Sequence, residues 1–315
     1  MEQTLEEISK DVLRFVQESP QFQQWLECRD LLMNLLATDD PWILALPVLT
    51  CKAVEEEQLN AIPVAAAWIT LVHAANVIDD VQDGDLNRLA QFQSPQLAMT
   101  VAVAWIFTAY RMIDYPSYDS ETQNKIIRIF SSAGFESSIG QFQDLVMDTS
   151  KSNTGNQLEK YWGAVIMKSG SIFKAGIAAG AVIGAGSKDI VEALGNYGTA
   201  IGVIRQVMDD CRDFWNDEKI SKKQRTLPIL LQSMASDKRS TSDIKHTVKD
   251  KQEAQITNQT PQILVSADIP EIITDILFEW RKRALKSLDA LKPSDAHIAL
   301  EKIVDQAMTP KQHVV

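Results

Sequence analysis

Apolar positions recur every three or four residues along almost the whole chain, and strict two-residue alternation is nowhere sustained. That is the signature of helices rather than strands. The pattern predicts helices at about 3–18, 20–37, 41–56, 59–83, 94–112, 118–149, 156–168, 170–185, 188–217, 223–236, 268–291 and 294–308, joined by short polar turns. Several run beyond twenty residues, which predicts one large all-α bundle over 1–315 whose central members are buried on several sides. The polar stretch 236–262 is expected to be an exposed loop or a loosely packed excursion, and the tail "PKQHVV" to fray.

Composition narrows the setting. The chain has 315 residues, 45% of them hydrophobic, enough for a substantial core, with only 13 glycines and 11 prolines. A net charge of −11 and the absence of a basic stripe argue against nucleic acid as a partner. The start "MEQTLEEISK" lacks the basic-then-apolar layout of a signal peptide. The run "AGIAAGAVIGAG" (175–186) is too short and too Gly-rich to predict a transmembrane segment. Cys28, Cys51 and Cys211 have neither metal nor disulfide spacing. A soluble, cytoplasmic protein is the expectation.

Two apolar runs close on acid. "VIDDVQD" (77–83) and "VMDDCRD" (207–213) both carry the DDxxD spacing, with Asp79, Asp80 and Asp83 in one and Asp209, Asp210 and Asp213 in the other. On a helix the first and fifth positions project from one face, a turn apart. Like charges at that spacing repel, and burying them without a counter-charge costs more still. Dense carboxylates without Cys or His suit a hard divalent cation, Mg²⁺ first, which keeps waters and shares its remaining positions with substrate phosphates. The pair of clusters therefore predicts a diphosphate held by bridging metal ions.

Further motifs extend the pattern: "GQFQDL" (Gly140 to Leu145), "KSGS" (Lys168 to Ser171) with Tyr161 seven residues earlier, Gln206 just ahead of the second cluster, "RTLPILL" (225–231) and "ALKSLDALKPSDAHIAL" (284–300). With both DDxxD clusters, over roughly 40–308, the chain resembles the trans-isoprenyl diphosphate synthases, or polyprenyl synthetases. The resemblance implies an isoprenoid-synthase bundle of about 10–13 helices around a central cavity, a homodimer, and three Mg²⁺ ions bound with the substrate diphosphate. It implies metal ligands Asp79, Asp80, Asp83, Asp209, Asp210 and Asp213, with Asp80 and Asp210 standing behind the others. Gln206 and Asp144 would orient the site. Arg88 and Lys168 would bind the diphosphate, helped by a cation past the second cluster, Lys219, Lys222 or Lys223, with Arg225 nearby. Ala74 and Ala75, just before the first cluster, would form a small-residue pocket floor that admits a C15 or C20 chain.

The departures fall on one substrate. The family's early Gly-Gly-Lys-x-x-Arg segment reads "DDPWILALPVL" (39–49), its second Arg after the first cluster is Leu89, and the position seven before Asp79 is Val72. His73 is one place off, about 100° round the helix. Arg205 stands where the family has Phe. A second diphosphate needs compensating charge, so the isopentenyl diphosphate site reads as erased. The leading expectation is a class I terpene synthase. Its rivals are a chain-elongating prenyltransferase, a prenyltransferase to another acceptor, and a non-catalytic regulatory subunit. Phe142, Phe173, Trp162, Trp68, Trp105 and Phe135 are candidates to line a cation-stabilising pocket, although aromatic stripes at helical spacing more often form core.

Overall fold

The computed structural model describes residues 2–55, 61–85, 89–146, 154–215, 226–236 and 269–309. These form thirteen α-helices: α1 (Glu2–Glu18), α2 (Pro20–Gln24), α3 (Leu26–Leu36), α4 (Pro41–Val54), α5 (Ile62–Asp83), α6 (Pro95–Ile113), α7 (Ser120–Val146), α8 (Thr154–Val165), α9 (Ser171–Ile183), α10 (Lys188–Trp215), α11 (Leu227–Ser236), α12 (Ile269–Leu288) and α13 (Asp295–Ala307). No strand occurs among the described residues. The all-α prediction holds, and so do most of its boundaries. Much of 236–262 lies outside the described residues.

Two boundaries differ for local reasons. The segment 20–37 breaks at Trp25, whose φ of −142° and ψ of 85° leave the helical region between α2 and α3. The break expected after Lys168 does not occur. Instead α8 runs into α9 through a π-helical turn, Ile166–Gly170, in which the Ser171 N–H reaches back to the Ile166 carbonyl. Such a turn inserts one residue into the helical ladder and re-aims the side chains it carries.

One contiguous core runs from Leu5 in α1 to Ala307 in α13. At its centre α9 packs against α4, α5, α7 and α10. Close approach there depends on missing side chains. A Cβ at Gly176 would meet the Trp68 ring at 2.5 Å, and one at Gly180 would run into the Pro47 carbonyl of α4. Trp68 is anchored by its indole N–H, which donates to the Ile172 carbonyl at 2.8 Å.

Among the described residues three helical stretches, Ile62–Asp83, Pro95–Ile113 and Gln157–Ile183, are long and apolar enough to cross a membrane by length and composition. Here 61%, 44% and 56% of their apolar windows are buried within the bundle.

Candidate active site

Helix α5 delivers the first aspartate cluster at its C-terminal end. Gly84 adopts φ 71° and closes the helix, with the Asp85 N–H donating to the Asp80 carbonyl at 2.9 Å. The second cluster occupies the last two turns of α10. Both clusters thus place carboxylates where the helix dipole is already negative, an arrangement that favours a bound cation.

The π turn supplies the first one. Lys168 Nζ donates to Asp79 Oδ1 at 2.7 Å and lies 3.9 Å from Asp144 Oδ2 on α7. Burial pulls its pKa down, but the carboxylates of Asp79, Asp144 and Asp83 outweigh that and hold it above the ordinary lysine value. Two glycines fix the turn in place. A Cβ at Gly140 would meet the Lys168 backbone nitrogen at 2.5 Å and the Ala164 carbonyl at 2.8 Å. From the opposite side, a Cβ at Gly202 would meet the Ser169 carbonyl at 2.5 Å. The backbone that aims Lys168 is clamped between α7 and α10.

The next residue ties the same turn to the second cluster. Ser169 Oγ donates to Gln206 Oε1 at 2.7 Å, and Gln206 Nε2 donates to Asp210 Oδ1 at 3.0 Å. Asp210 Oδ2 accepts from the Tyr161 hydroxyl at 2.7 Å and from the Leu227 N–H at 2.9 Å. Asp210 is buried, and that burial pushes its pKa up to about 6 although these three donors pull it down. Both its oxygens face protein donors, whereas Asp209 and Asp213 are partly exposed. Asp209 Oδ1 takes Arg212 Nη1 at 3.0 Å, with Arg205 Nη2 at 3.9 Å.

Other predicted positions divide. Asp80 lies half-buried beside Asp79 on α5, and Asp83, a turn on, is exposed. Ala75 is half-buried, one turn before Asp79, and Ala74 is fully buried. Arg88, Lys219, Lys222, Lys223 and Arg225 lie outside the described residues.

The aromatic candidates are mostly not a cage. Phe135 and Phe142 are 71% and 65% exposed, on the side of α7 opposite Gly140 and Asp144. Trp105 is core, donating to the Cys28 carbonyl at 3.1 Å, and Trp162 packs between Tyr161 and Trp280. Phe173 meets Trp68 edge-on at 5.4 Å. A cavity of about 390 Å³ lies elsewhere, lined by Trp25, Cys28, Phe92 and Leu97 among others.

At the start of α4, one to two turns below the clusters, stand groups the motifs do not explain. Asp39 Oδ2 is 2.7 Å from His73 Nε2, both side chains largely buried. The Arg205 guanidinium lies over the Trp42 ring, 5.9 Å from its centroid. The sequence signal for both was the local departure from the family pattern. The Asp39–His73 pair itself joins residues 34 apart and was not legible.

Among the described residues, no three or more His, Cys, Asp or Glu side chains gather into a ready-made metal site. Two separated carboxylate clusters instead suit an ion that brings its own waters and completes its shell with substrate oxygens.

A model of the polyprenyl synthetase family matches residues 44–263. The chain belongs to the polyprenyl synthetase family. The short chain isoprenyl diphosphate synthase of Methanocaldococcus jannaschii is 28% identical over 183 residues, 55% of this polyprenyl synthetase and 53% of that protein, so the match spans about half of the relative's length. Among solved structures, the geranylgeranyl pyrophosphate synthetase of the archaeon Geoglobus acetivorans superposes with a TM-score of 0.73 at 19% identity, covering 98% of this chain and 99% of that one. The geranylgeranyl pyrophosphate synthase of Corynebacterium glutamicum, solved with calcium and isoprenyl diphosphate, gives 0.66 at 18% identity, over 98% and 95%. At these identities the structural likeness shows the fold, which is that of the isoprenyl synthases.

Proposed function

We propose that this polyprenyl synthetase is a Mg²⁺-dependent prenyltransferase. It would ionise an allylic prenyl diphosphate between the two aspartate clusters and join the allyl cation to a nucleophile. The observation that carries this reading is the 2.7 Å Lys168–Asp79 pair, a charged ammonium held where α5, α7 and the π turn converge. On this reading Asp79 and Asp83 from α5, and Asp209 and Asp213 from α10, hold the metal, with Asp80 beside them. Asp210 serves as a buried brace, because its oxygens are engaged by Tyr161, Gln206 and the Leu227 N–H. Bound Mg²⁺ would neutralise the diphosphate as a leaving group.

Lys168 would turn its ammonium to the oxygens of the departing diphosphate, stabilising charge as it develops. Ser169 and Gln206 transmit the position of the π turn to the second cluster, so the two halves of the clamp keep a fixed separation. Arg88, Lys223 and Arg225 would add positive charge from the segments flanking the clusters.

The similar proteins, an isoprenyl diphosphate synthase and a geranylgeranyl pyrophosphate synthetase, favour transfer over cyclisation. A terpene synthase is the second reading, favoured by one observation: Asp39 and Asp40 stand just ahead of α4, which carries no cation before Lys52. The test is incubation of purified protein with Mg²⁺ and geranyl, farnesyl or geranylgeranyl diphosphate, with and without isopentenyl diphosphate. Transfer to isopentenyl diphosphate yields longer diphosphates. Hydrocarbon formed from the allylic substrate alone supports cyclisation. No diphosphate release under any condition contradicts both and returns the regulatory-subunit reading.

A further inference from the structure

Helix α10 ends in carboxylates at its negative pole, and it meets both with a side chain of its own. Arg212 is the basic residue of its last turn, where a cation offsets the unpaired carbonyls. Lying three residues beyond Asp209, it shares a helix face with that aspartate. Arg212 Nη1 lies 3.0 Å from Asp209 Oδ1, and Arg212 Nε lies 3.8 Å from Asp213 Oδ1. The guanidinium therefore spans the two carboxylates that the proposed function gives to metal. Asp210, the third member of the cluster, is held instead by Tyr161, Gln206 and the Leu227 N–H.

This pairing is built to exchange. The Arg212 side chain is 26% exposed and both its partners are partly exposed, so water screens the contacts and each is worth little. Arg205 differs: it is 13% exposed, lies over the Trp42 ring and comes no nearer than 3.9 Å to Asp209. A divalent cation on Asp209 and Asp213 would meet the Arg212 guanidinium as a like charge at close range, which costs energy until Arg212 turns away. A diphosphate gives it somewhere to turn, because the guanidinium fork matches phosphate oxygens two at a time.

Resting on the proposed function, we infer that Arg212 is the second cluster's own counter-ion and that it trades partners. It pairs with Asp209 and Asp213, competes there with a divalent cation that comes alone, and turns to the diphosphate when cation and substrate enter together. The trade couples the two ligands. By linkage, diphosphate tightens the metal by the same factor as the metal tightens diphosphate, and Arg212 sets part of that factor. The second cluster is thereby kept from loading metal ahead of substrate.

Wild type, Arg212→Gln, Asp209→Asn and the double variant are titrated with Mn²⁺, a paramagnetic substitute for Mg²⁺, with and without inorganic pyrophosphate. Bound Mn²⁺ is read by electron paramagnetic resonance after allowing for its soluble pyrophosphate complex, and folding is checked by thermal melting. Without pyrophosphate, Arg212→Gln is expected to bind Mn²⁺ about two- to fivefold more tightly than wild type, the range for release of a partly exposed ion pair. That gain is absent when the double variant is compared with Asp209→Asn. With pyrophosphate the order reverses, and Arg212→Gln binds Mn²⁺ at least about fivefold more weakly, as for loss of a charge-assisted contact. Arg212→Lys, which keeps the charge but not the fork, matches wild type without pyrophosphate and falls between the two with it.

Unchanged or weaker Mn²⁺ binding by Arg212→Gln without pyrophosphate overturns the inference. So does a gain that survives Asp209→Asn, which would place it at another site. Tighter binding by Arg212→Gln in both conditions overturns the trade as well, since Arg212 would then only repel metal. Each of these leaves the proposed transferase standing as long as wild type binds Mn²⁺ with pyrophosphate. Wild type that binds no Mn²⁺ even with pyrophosphate removes the metal-dependent reading itself.

Discussion

Lys168 is the residue on which the electrostatics of the site turn. Its ammonium is the observed partner of Asp79 and sits within reach of Asp144, in a largely buried setting where charge interactions are strong. Lys168→Met is expected to lower kcat by about 10²–10³-fold, the usual cost of removing one preorganised group from a developing oxyanion. Steady-state kinetics and far-ultraviolet circular dichroism read this together, since helicity should be retained; full activity in the variant would remove Lys168 from the site. The sequence revealed this residue through its motif context, and the two DDxxD clusters through spacing alone. It did not reveal that Asp210 is engaged on both oxygens, because its partners Tyr161 and Leu227 come from other helices. Nor did it reveal that Ala74 is fully buried while its neighbour Ala75 is not.

At the scale of elements, the π turn is the device that aims Lys168 at one cluster and Ser169 at the other. Periodicity predicted a helix break here, since one inserted residue shifts the apolar phase in the same way as a short interruption. The clamp around the turn gives a sharp test. Gly140→Ala would press a methyl group onto the backbone of Lys168 and Ala164, neither of which is the free end of a side chain. Denaturant unfolding should show a loss of about 1–3 kcal/mol from overpacking. Activity should fall by up to about 10²-fold as Lys168 is displaced. A variant with wild-type stability and rate would show that α7 does not hold the turn.

For the whole molecule, the all-α bundle was legible because helical periodicity is continuous and three of the most apolar segments are long. Which residues line the site was less so, because exposed and buried aromatics share the same spacing. Val103 and Phe107 on α6, with Phe135, Phe142 and Val146 on α7, are 44%, 68%, 71%, 65% and 59% exposed. Contiguous exposed apolar residues are, in general, typical of surfaces that associate. We propose that it pairs two copies of this chain, so light scattering should give the mass of a dimer and Phe135→Glu should shift it toward monomer. A monomeric wild type would contradict this pairing. The central claim concerns the two aspartate clusters acting as one metal-dependent clamp. The most direct measurement is diphosphate release from farnesyl diphosphate, with Mg²⁺ or with a chelator, by wild type, Asp79→Ala and Asp209→Ala. The account predicts release by the wild type only with Mg²⁺, and loss of release in each variant with helicity intact. Undiminished release by either variant, or by the wild type in chelator, would contradict it.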